Sequence, residues 1–138
     1  MRIIVDTSVW SLVLRRRPGS LSPAQQRTLF YWRETVRDRR AIILGLVRQE
    51  VLSGIKDSSV FDRIADYLRG FEDFFLDVGD YEQAARCACV CQKNGIAFTA
   101  VDMLICGASL RNDLEIMTVD LDFSRYARLM PLRLTQMP

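Results

Sequence analysis

The chain has 138 residues, of which 49% are hydrophobic and 26% charged, and its formal net charge is only +2. This length suits one folded domain, and we expect residues 1–138 to form it. The absence of histidine excludes Ser-His-Asp and Cys-His catalysis and histidine-ligated zinc. No apolar run approaches the roughly 20 residues of a membrane-spanning helix, and Asp6 interrupts the apolar start that a signal peptide needs. We therefore expect a cytoplasmic protein without membrane association.

Short apolar runs that alternate with helical patterns predict a mostly parallel sheet of four to five strands. The predicted strands are residues 3–5, 41–44, 74–78 and 116–119, with a candidate edge strand at 132–134. Such alternation is typical of a three-layer α/β/α fold, in which helices cover both faces of the sheet. Binding sites in these open sheets lie beyond the carboxyl ends of the strands.

Capping residues and turn signals delimit the predicted helices. Ser22-Pro23, with Gln25 completing a capping box, opens a helix that ends near Arg39. The other predicted helices run through 12–14, over about 46–54, from the Asp57-Ser58 cap to Gly70, from Asp80 to Gly95, from Thr99 to about Asn112, and over 123–129.

The four cysteines, Cys87, Cys89, Cys91 and Cys106, lack the Cys-x-x-Cys spacing of a zinc knuckle or a redox pair. On a helix, Cys87 and Cys91 share one face. We therefore expect small core residues in the reduced state, which also suits the cytoplasm.

Two candidate functional carboxylates follow the first two predicted strands. Asp6 ends the strand 3–5, and helix capping is its simplest alternative role. However, Thr7 and Ser8 are equally suited to capping, which leaves Asp6 free for another task. Glu50 falls within the broad apolar face of its helix, on a wheel of about 100° per residue. That face comprises Leu46, Val47, Val51 and Ile55. A charge placed there must be paired in a salt bridge, protonated or bound to a metal, and the salt bridge and the functional role both stay open.

Three further aspartates lie towards the C-terminus. Thr99-x-x-Asp102 matches a capping box, so the alternative role of Asp102 is to bond back to Thr99. Its helix is apolar almost all round, which indicates a buried helix. Asp120 directly ends the last predicted strand, whereas Asp122 precedes Phe123 and is well placed to cap the short helix there. We assign the chemistry to Asp120 and the capping to Asp122.

The predicted topology brings Asp6, Glu50, Asp102 and Asp120 towards one edge of the sheet. Several carboxylates within a few ångströms of one another cannot all stay ionised without a cation. Carboxylates and water suit Mg²⁺ or Mn²⁺ better than zinc. The sequence therefore predicts a Mg²⁺ or Mn²⁺ site.

Four segments, in this order and spacing, carry a resemblance to a known family. They are Val5-Asp6-Thr7-Ser8-Val9-Trp10, the stretch 47–55 around Glu50, the stretch 95–105 around Asp102, and Thr118-Val119-Asp120-Leu121-Asp122-Phe123. Over nearly its whole length the chain resembles the PIN-domain nucleases, and specifically VapC-type toxins of bacterial toxin–antitoxin pairs. The resemblance implies a PIN-like fold in which Asp6, Glu50, Asp102 and Asp120 form the metal-binding acidic quartet.

The same resemblance implies an endoribonuclease that cleaves RNA, often structured RNA such as tRNA. It also implies a homodimer and a small cognate antitoxin, a segment of which occupies the groove. Thr7, Thr118 and Asp122 are auxiliary candidates. Thr118 matches a hydroxyl position that orients a ligand carboxylate or water, and Asp122 is the alternative to Asp120 within the last motif.

In the expected mechanism, the carboxylates hold one or two divalent ions, and metal-activated water attacks the scissile phosphate. The products would carry 5′-phosphate and 3′-hydroxyl ends. Candidates for contacts with the RNA backbone are Arg15, Arg16, Arg17, Arg37, Arg39 and Arg40. For most individual arginines, a solvated surface charge is the favoured interpretation.

Three other functions compete with this one. A receiver-like signalling domain has an acidic Mg²⁺ pocket but needs a lysine after a late strand, and Lys56 and Lys93 lie elsewhere. A catalytically silent PIN scaffold that binds RNA would not need the intact carboxylates. DNA or flap nucleases of the same superfamily generally carry extra elements that 138 residues do not supply.

Overall fold

The computed structural model describes residues 1–15 and 18–138 and contains a four-stranded, all-parallel sheet. The strands are β1 (Ile3–Val5), β2 (Ala41–Leu44), β3 (Glu72–Phe74) and β4 (Glu115–Met117). Their order across the sheet is β3-β2-β1-β4. Every residue of β1 and β2 is buried, as strands covered on both faces require. The prediction of an α/β fold with a parallel sheet is confirmed.

Seven α-helices flank this sheet within the described residues. They are α1 (Thr7–Arg15), α2 (Pro23–Arg37), α3 (Gly45–Ser53), α4 (Ser58–Leu68), α5 (Val78–Lys93), α6 (Ala100–Asn112) and α7 (Asp122–Leu129), with a 3₁₀ turn at Pro18–Ser20. The predicted capping box of Ser22 with Gln25 is present, and Asp57 and Thr99 cap α4 and α6 as predicted. None of these helices is long and apolar enough to cross a bilayer.

The predicted boundaries of the third strand and of the helix after it were wrong. The prediction placed the strand over 74–78, but β3 spans Glu72–Phe74, so it includes two exposed acidic residues. An edge strand tolerates such residues because only one of its sides is paired. Asp77, rather than Asp80, caps α5, and Asp80 is the third residue of that helix and completes the capping box. Because the strand contains polar residues, it lies earlier in the chain than the apolar pattern predicted, and the helix after it also begins earlier.

The C-terminal strand boundaries also differ from the prediction. β4 ends at Met117, two residues earlier than expected, so Thr118 is the first residue beyond the strand. The candidate strand at 132–134 is reduced to one isolated parallel bridge between Leu134 and Ile116. The sheet therefore has four strands, and the chain after Met117 is free to form a loop at its carboxyl edge.

Helices α5 and α6 pack closely over part of the core. Cys87 and Cys91 of α5 and Cys106 of α6 are buried, as predicted for small core residues, whereas Cys89 is exposed. A Cβ atom added to Gly107 would lie 2.6 Å from the backbone nitrogen of Ala84. The two helix backbones therefore approach closely because position 107 carries no side chain.

Replacing Gly107 with alanine should force α5 and α6 apart and lower the free energy of unfolding by about 1–3 kcal/mol. Urea unfolding followed by circular dichroism measures this loss. Gly45→Ala is the control, since no atom lies within 4 Å of its added Cβ, and its effect should stay within about 0.5 kcal/mol. Equal stability of the two variants would contradict the close packing at Gly107.

Candidate metal centre

The strand order creates a switch point between β1 and β4. From β1 the chain passes to β2 on one side, and it later returns to pair β4 on the other side of β1. Ligands in open parallel sheets bind at such a crevice, beyond the carboxyl ends of the strands. Asp6 follows β1 and Thr118 follows β4 at this edge, and the Asp6 N–H donates to the Met117 carbonyl over 2.9 Å.

Asp6 is 4% exposed, and two hydroxyl groups hold its carboxylate. The Ser8 hydroxyl donates to Asp6 Oδ2 over 2.7 Å and the Thr118 hydroxyl over 2.8 Å. The Ser8 backbone N–H also donates to Oδ2, over 3.3 Å. Asp6 therefore caps the start of α1 itself, and the expectation that Thr7 and Ser8 would replace it there was wrong. The Thr7 hydroxyl is buried without a hydrogen-bond partner among the described residues.

Burial raises the pKa of Asp6 above 3.8, although the bonds from Ser8 and Thr118 offset part of this shift. No cationic side chain pairs with Asp6 among the described residues. The ionised form is therefore destabilised by the fold, and a positive charge close to Asp6 would relieve that cost.

Asp102 lies in the first turn of α6 and is also buried. Thr99 caps the helix by accepting the Asp102 N–H over 3.1 Å. The alternative role of Asp102, in a reciprocal capping box, is not realised. Instead, the buried Tyr126 hydroxyl donates to Asp102 Oδ2 over 2.8 Å. The carboxylate therefore has hydroxyl partners both in α7 and at the start of its own helix.

The pKa of Asp102 is raised by burial and by the negative charges of Asp6 and Asp120, while the Tyr126 and Thr99 hydroxyls lower it. Asp6 and Asp120 are therefore close enough to Asp102 for their charges to act on it. Asp6 follows β1, Asp102 begins α6 and Asp120 lies in the loop after β4; Asp6 itself is not part of the group of carboxylates that lie within 4.8 Å of one another.

The prediction that Asp122, and not Asp120, caps the short helix α7 was wrong. Asp120 Oδ1 accepts the Asp122 N–H over 2.9 Å, so Asp120 forms the turn before α7. Asp122 is the first residue of α7, and its carboxylate accepts a bond from Arg125 over 2.6 Å. The backbone of Asp120 is itself fixed by its N–H bond to the Thr118 hydroxyl, 3.0 Å long. The shorter β4 explains this, because the turn begins earlier than predicted.

Three carboxylates meet the geometric requirement for holding a cation. One oxygen each of Asp102, Asp120 and Asp122 lies within 4.8 Å of the others. Oxygen ligands with a surplus of negative charge suit a hard divalent cation such as Mg²⁺ or Mn²⁺. The raised pKa of Asp102 fits the same conclusion, since its neighbours leave the charge uncompensated. The residues present therefore fit a divalent metal ion.

The family model of the PIN domain matches residues 3–129. The chain belongs to the PIN domain family. This finding confirms the resemblance that the four sequence segments predicted, and it removes the receiver-like alternative. A search of curated proteins found no match to the sequence.

Several solved structures share the fold of this PIN domain. VapBC2 from Rickettsia felis, bound to a promoter DNA fragment, matches with a TM-score of 0.76 and 14% identity over 98% of each chain. DNA-bound VapBC from Salmonella typhimurium gives 0.74 and 13% identity over 100% of this chain and 99% of that one. FitAcB from Neisseria gonorrhoeae gives 0.72 and 16% identity, covering 97% and 96%. At these identities the likeness concerns the fold.

Glu50 does not lie on a buried face of this PIN domain, contrary to the prediction. Helix α3 buries only Val47 and Val51, and Glu50 is exposed. On the helical wheel, Glu50 lies about 60° from Val47 on the side away from Val51. The buried stripe is therefore narrower than the sequence suggested. Glu50 is outside the group formed by Asp102, Asp120 and Asp122.

Three of the arginines proposed for RNA contacts lie away from the carboxylates. Arg37, Arg39 and Arg40 precede β2, at the amino edge of the parallel sheet, whereas Asp6 lies at the carboxyl edge. Arg37 also pairs with Glu34. Arg16, Arg17 and the side chain of Arg15 lie outside the described part of the structure. Among the described residues, Arg125 reaches the centre through its bond to Asp122, and sequence reasoning missed it.

Two further residues of the centre, Ser8 and Tyr126, were not predicted. Ser8 stands within the first motif, two residues after Asp6, and that spacing is typical of a hydroxyl that bonds back to an aspartate. Tyr126 carries a weaker signal. It lies three residues after Phe123, and the two rings pack edge to face with centroids 5.3 Å apart. The sequence suggests a buried aromatic face there, but the hydrogen bond to Asp102 depends on tertiary packing.

Asp6→Asn should raise the free energy of unfolding of the metal-free protein at pH 7. Asparagine removes the buried charge, and its carbonyl oxygen retains the bonds from Ser8 and Thr118, which all end on Oδ2. Because the pKa of Asp6 is raised in the folded protein, the charge penalty is complete only above that raised pKa and shrinks as the pH falls below it. The advantage of the variant should therefore vanish as the pH falls towards 3.8. Urea unfolding in EDTA over a pH series measures this.

Asp80→Asn is the matched control, because Asp80 is also a buried aspartate but its pKa is lowered, whereas that of Asp6 is raised. Burial raises its pKa, but bonds from Asp77, Asn112 and Arg111 lower the pKa further, to a net value below 3.8. Its removal should destabilise the protein at pH 7, and the loss should shrink as the pH falls below 3.8. A destabilised Asp6→Asn protein at pH 7 would contradict an uncompensated charge at Asp6.

Proposed function

We propose that this PIN domain is an endoribonuclease toxin of the VapC type that depends on Mg²⁺ or Mn²⁺. The observation that carries the proposal is the convergence of Asp6, Asp102 and Asp120 at the switch point between β1 and β4. PIN domains are generally nucleases that use a divalent metal, and VapC toxins are ribonucleases. Structured RNA such as tRNA is the proposed substrate.

Asp6, Asp102 and Asp120 are the proposed cation ligands, and Glu50 is the proposed fourth member. Support for Glu50 comes from its position, because α3 starts at the carboxyl end of β2, at the same edge of the sheet. Asp122 is an auxiliary ligand, since its carboxylate is already paired with Arg125. When bound, a divalent cation lowers the pKa of a coordinated water and offsets charge on the scissile phosphate.

The protein side chains have distinct tasks in this proposal. Ser8 and Thr118 hold the Asp6 carboxylate in one orientation, and Thr118 also fixes the backbone of Asp120. Tyr126 positions Asp102. Burial and the neighbouring Asp102 charge raise the pKa of Tyr126, so its hydroxyl stays protonated and keeps donating. Without histidine, no side chain of the chain titrates close to neutral pH as an ordinary general base.

The proposed partners are a small cognate antitoxin and a second copy of this chain. The structural neighbours from Rickettsia felis and Salmonella typhimurium are VapBC complexes, which supports an antitoxin for this protein as well. A catalytically silent scaffold is less compatible with the centre, because buried Asp6 and Asp102 destabilise the protein unless they serve a ligand.

Purified protein should cut end-labelled total RNA into discrete products with Mg²⁺ or Mn²⁺, and EDTA should stop the reaction. The products should carry 5′-phosphate ends, which a ligation assay that requires this phosphate detects. Asp6→Asn should abolish cleavage while the circular dichroism spectrum stays that of a folded protein. Asp120→Asn should lose far more activity than Asp122→Asn, because Asp122 is engaged by Arg125. Full activity of Asp6→Asn, or cleavage in EDTA, would refute the proposed site.

Tyr126→Phe should lower the cleavage rate roughly tenfold or more, because partners of ligand carboxylates typically contribute that much. The ring and its packing on Phe123 remain, so stability should fall by only about 1 kcal/mol. Mn²⁺ affinity, measured by electron paramagnetic resonance, should fall as well, which a purely structural role would not explain. Tyr81→Phe is the control, because Tyr81 is exposed. Unchanged Mn²⁺ affinity in Tyr126→Phe would contradict the positioning role.

A further inference from the structure

A cavity of about 510 Å³ opens between α1, α2 and the loop that follows β4. The residues of its lining on which the inference depends are Ser8, Ser11, Leu12, Gln25, Thr28 and Val119. The predicted site did not include this cavity. Its lining gives α2 a surface next to the metal centre.

Two residues belong both to the cavity and to the scaffold of the carboxylates. Ser8 lines the cavity and donates its hydroxyl to Asp6 over 2.7 Å. Val119 also lines it, and the Val119 N–H donates to the Ser8 hydroxyl over 3.1 Å. Val119 directly precedes Asp120. A molecule in the cavity is therefore separated from the metal centre by a single layer of side chains.

The lining is uncharged within the described part of the chain. Leu12 and Val119 are apolar, and Val119 is 44% exposed. The Thr28 hydroxyl is already bonded to the Ala24 carbonyl over 3.2 Å, so it needs no ligand. A phosphate would lack a cationic partner here, whereas a planar ring with apolar faces matches these walls.

Two polar groups of the lining are available to a ligand. Gln25 Oε1 accepts the Ser22 N–H over 2.9 Å, but no partner within the described residues binds its amide nitrogen. The Ser11 hydroxyl likewise has no described partner. An amide N–H donor and a hydroxyl beside apolar walls are suited to the polar edge of a nucleobase.

We propose that this cavity binds the base of an unpaired nucleotide next to the scissile phosphate and thereby sets the base preference of cleavage. The inference rests on the proposed ribonuclease function. In this arrangement, the cation at the carboxylates binds the scissile phosphate, and the cavity on the other side of Ser8 binds the nucleoside attached to that phosphate. Gln25 donates to an acceptor on the base edge, and Leu12 and Val119 contact its faces.

Photo-crosslinking tests the occupant without any need for cleavage. The probes are short single-stranded RNAs of mixed sequence in which 4-thiouridine replaces uridine, or 6-thioguanosine replaces guanosine. They are irradiated with Asp6→Asn protein in Mg²⁺, and mass spectrometry locates the crosslinked residues. We expect crosslinks within α1 and α2 at positions 11 and 25–28, or at position 119.

A matched pair of charge variants tests the base preference. Gln25→Glu keeps an oxygen that accepts the Ser22 N–H, but it replaces the free donor with a second acceptor and adds a negative charge. Gln26→Glu makes the same charge change one residue later, at an exposed position outside the cavity. Gln25→Glu should raise KM roughly fivefold to tenfold or shift the preferred base at the cleavage site. Gln26→Glu should match the wild-type protein.

Each result decides one of the two proposals separately. Crosslinks inside the cavity support the base site even if the wild-type protein cuts none of the RNAs tested, an outcome that would instead overturn the proposed nuclease. Cleavage with crosslinks only elsewhere, and with equal KM and base preference for the two glutamate variants, would overturn the base site alone. The base site would also be overturned if Gln25→Glu weakened only the binding of a protein inhibitor, since the cavity would then hold a protein side chain.

Discussion

The parallel pairing of β1 with β4 is the constraint on which the candidate centre depends. Val5 pairs with Met117, so the residues that follow each strand emerge side by side. The Thr118 hydroxyl then reaches Asp6 Oδ2 across 112 positions of sequence. The same hydroxyl accepts the Asp120 N–H, so one side chain sets the positions of two carboxylates. A shift in this register would separate Asp6 from Asp120 and would also move Val119 away from Ser8.

The second feature is the way in which the carboxylates are held. Hydroxyl groups from Ser8, Thr118 and Tyr126 bind Asp6 and Asp102, and none of these groups carries a positive charge. Hydroxyls fix the direction of a carboxylate but offset only part of the cost of burying it. The raised pKa values of Asp6 and Asp102 correspond to the part of the desolvation cost that the hydroxyl groups do not offset. Burying the carboxylates of Asp6 and Asp102 in this way lowers the local stability of the folded protein.

Asp80 shows how the same chain treats a buried carboxylate that has a structural role. It caps α5 with Asp77, accepts a bond from Asn112 and lies 3.3 Å from the Arg111 guanidinium. Its pKa is lowered rather than raised, because these partners outweigh its burial. The contrast separates the two kinds of buried aspartate: Asp80 is paired with a guanidinium within the protein, whereas Asp6 and Asp102 are bonded to hydroxyl groups and have no cationic partner among the described residues.

Sequence reasoning predicted much of this arrangement because the signals for it are local. The apolar runs of β1 and β2 and the caps of α2, α4 and α6 each involve a few neighbouring residues. The parallel topology also placed Asp6 after β1 and Asp120 after β4, at the carboxyl edge of the sheet, because both positions follow directly from the strand ends. The strand order, by contrast, involves pairings between distant segments, and no local pattern encodes it. Tyr126 was missed for the same reason, since its bond to Asp102 joins α7 to α6.

The errors at Asp77 and Asp120 have a different cause, because each concerned the choice between two nearby aspartates as the capping residue, whereas the error at Glu50 concerned the width of a helix face. A helix wheel assigns Glu50 to an apolar face only if that face is broad, and α3 buries a narrow one. Asp77 and Asp80, or Asp120 and Asp122, are equally good capping residues in isolation. The position at which the preceding strand ends determines which of the two aspartates caps the helix. β4 ends two residues earlier than predicted, and the difference at β3 is larger. Both errors fall at the edges of the sheet, since β3 and β4 are its two outer strands, and β3 contains no fully buried residue.

The acidic character of the centre also constrains how substrate can approach. Among the described residues, Arg125 is bonded to Asp122 of the cluster, but an exposed pair of this kind contributes little. Arg37, Arg39 and Arg40 lie at the opposite edge of the sheet. Three carboxylates whose oxygens lie within 4.8 Å of one another would repel a phosphate, and a divalent cation held between them would offset that repulsion. In the proposed function, the cation therefore binds before the phosphate approaches. Recognition of the base in a neutral cavity next to it fits that order, because an uncharged wall neither repels the chain nor competes with the carboxylates for the ion.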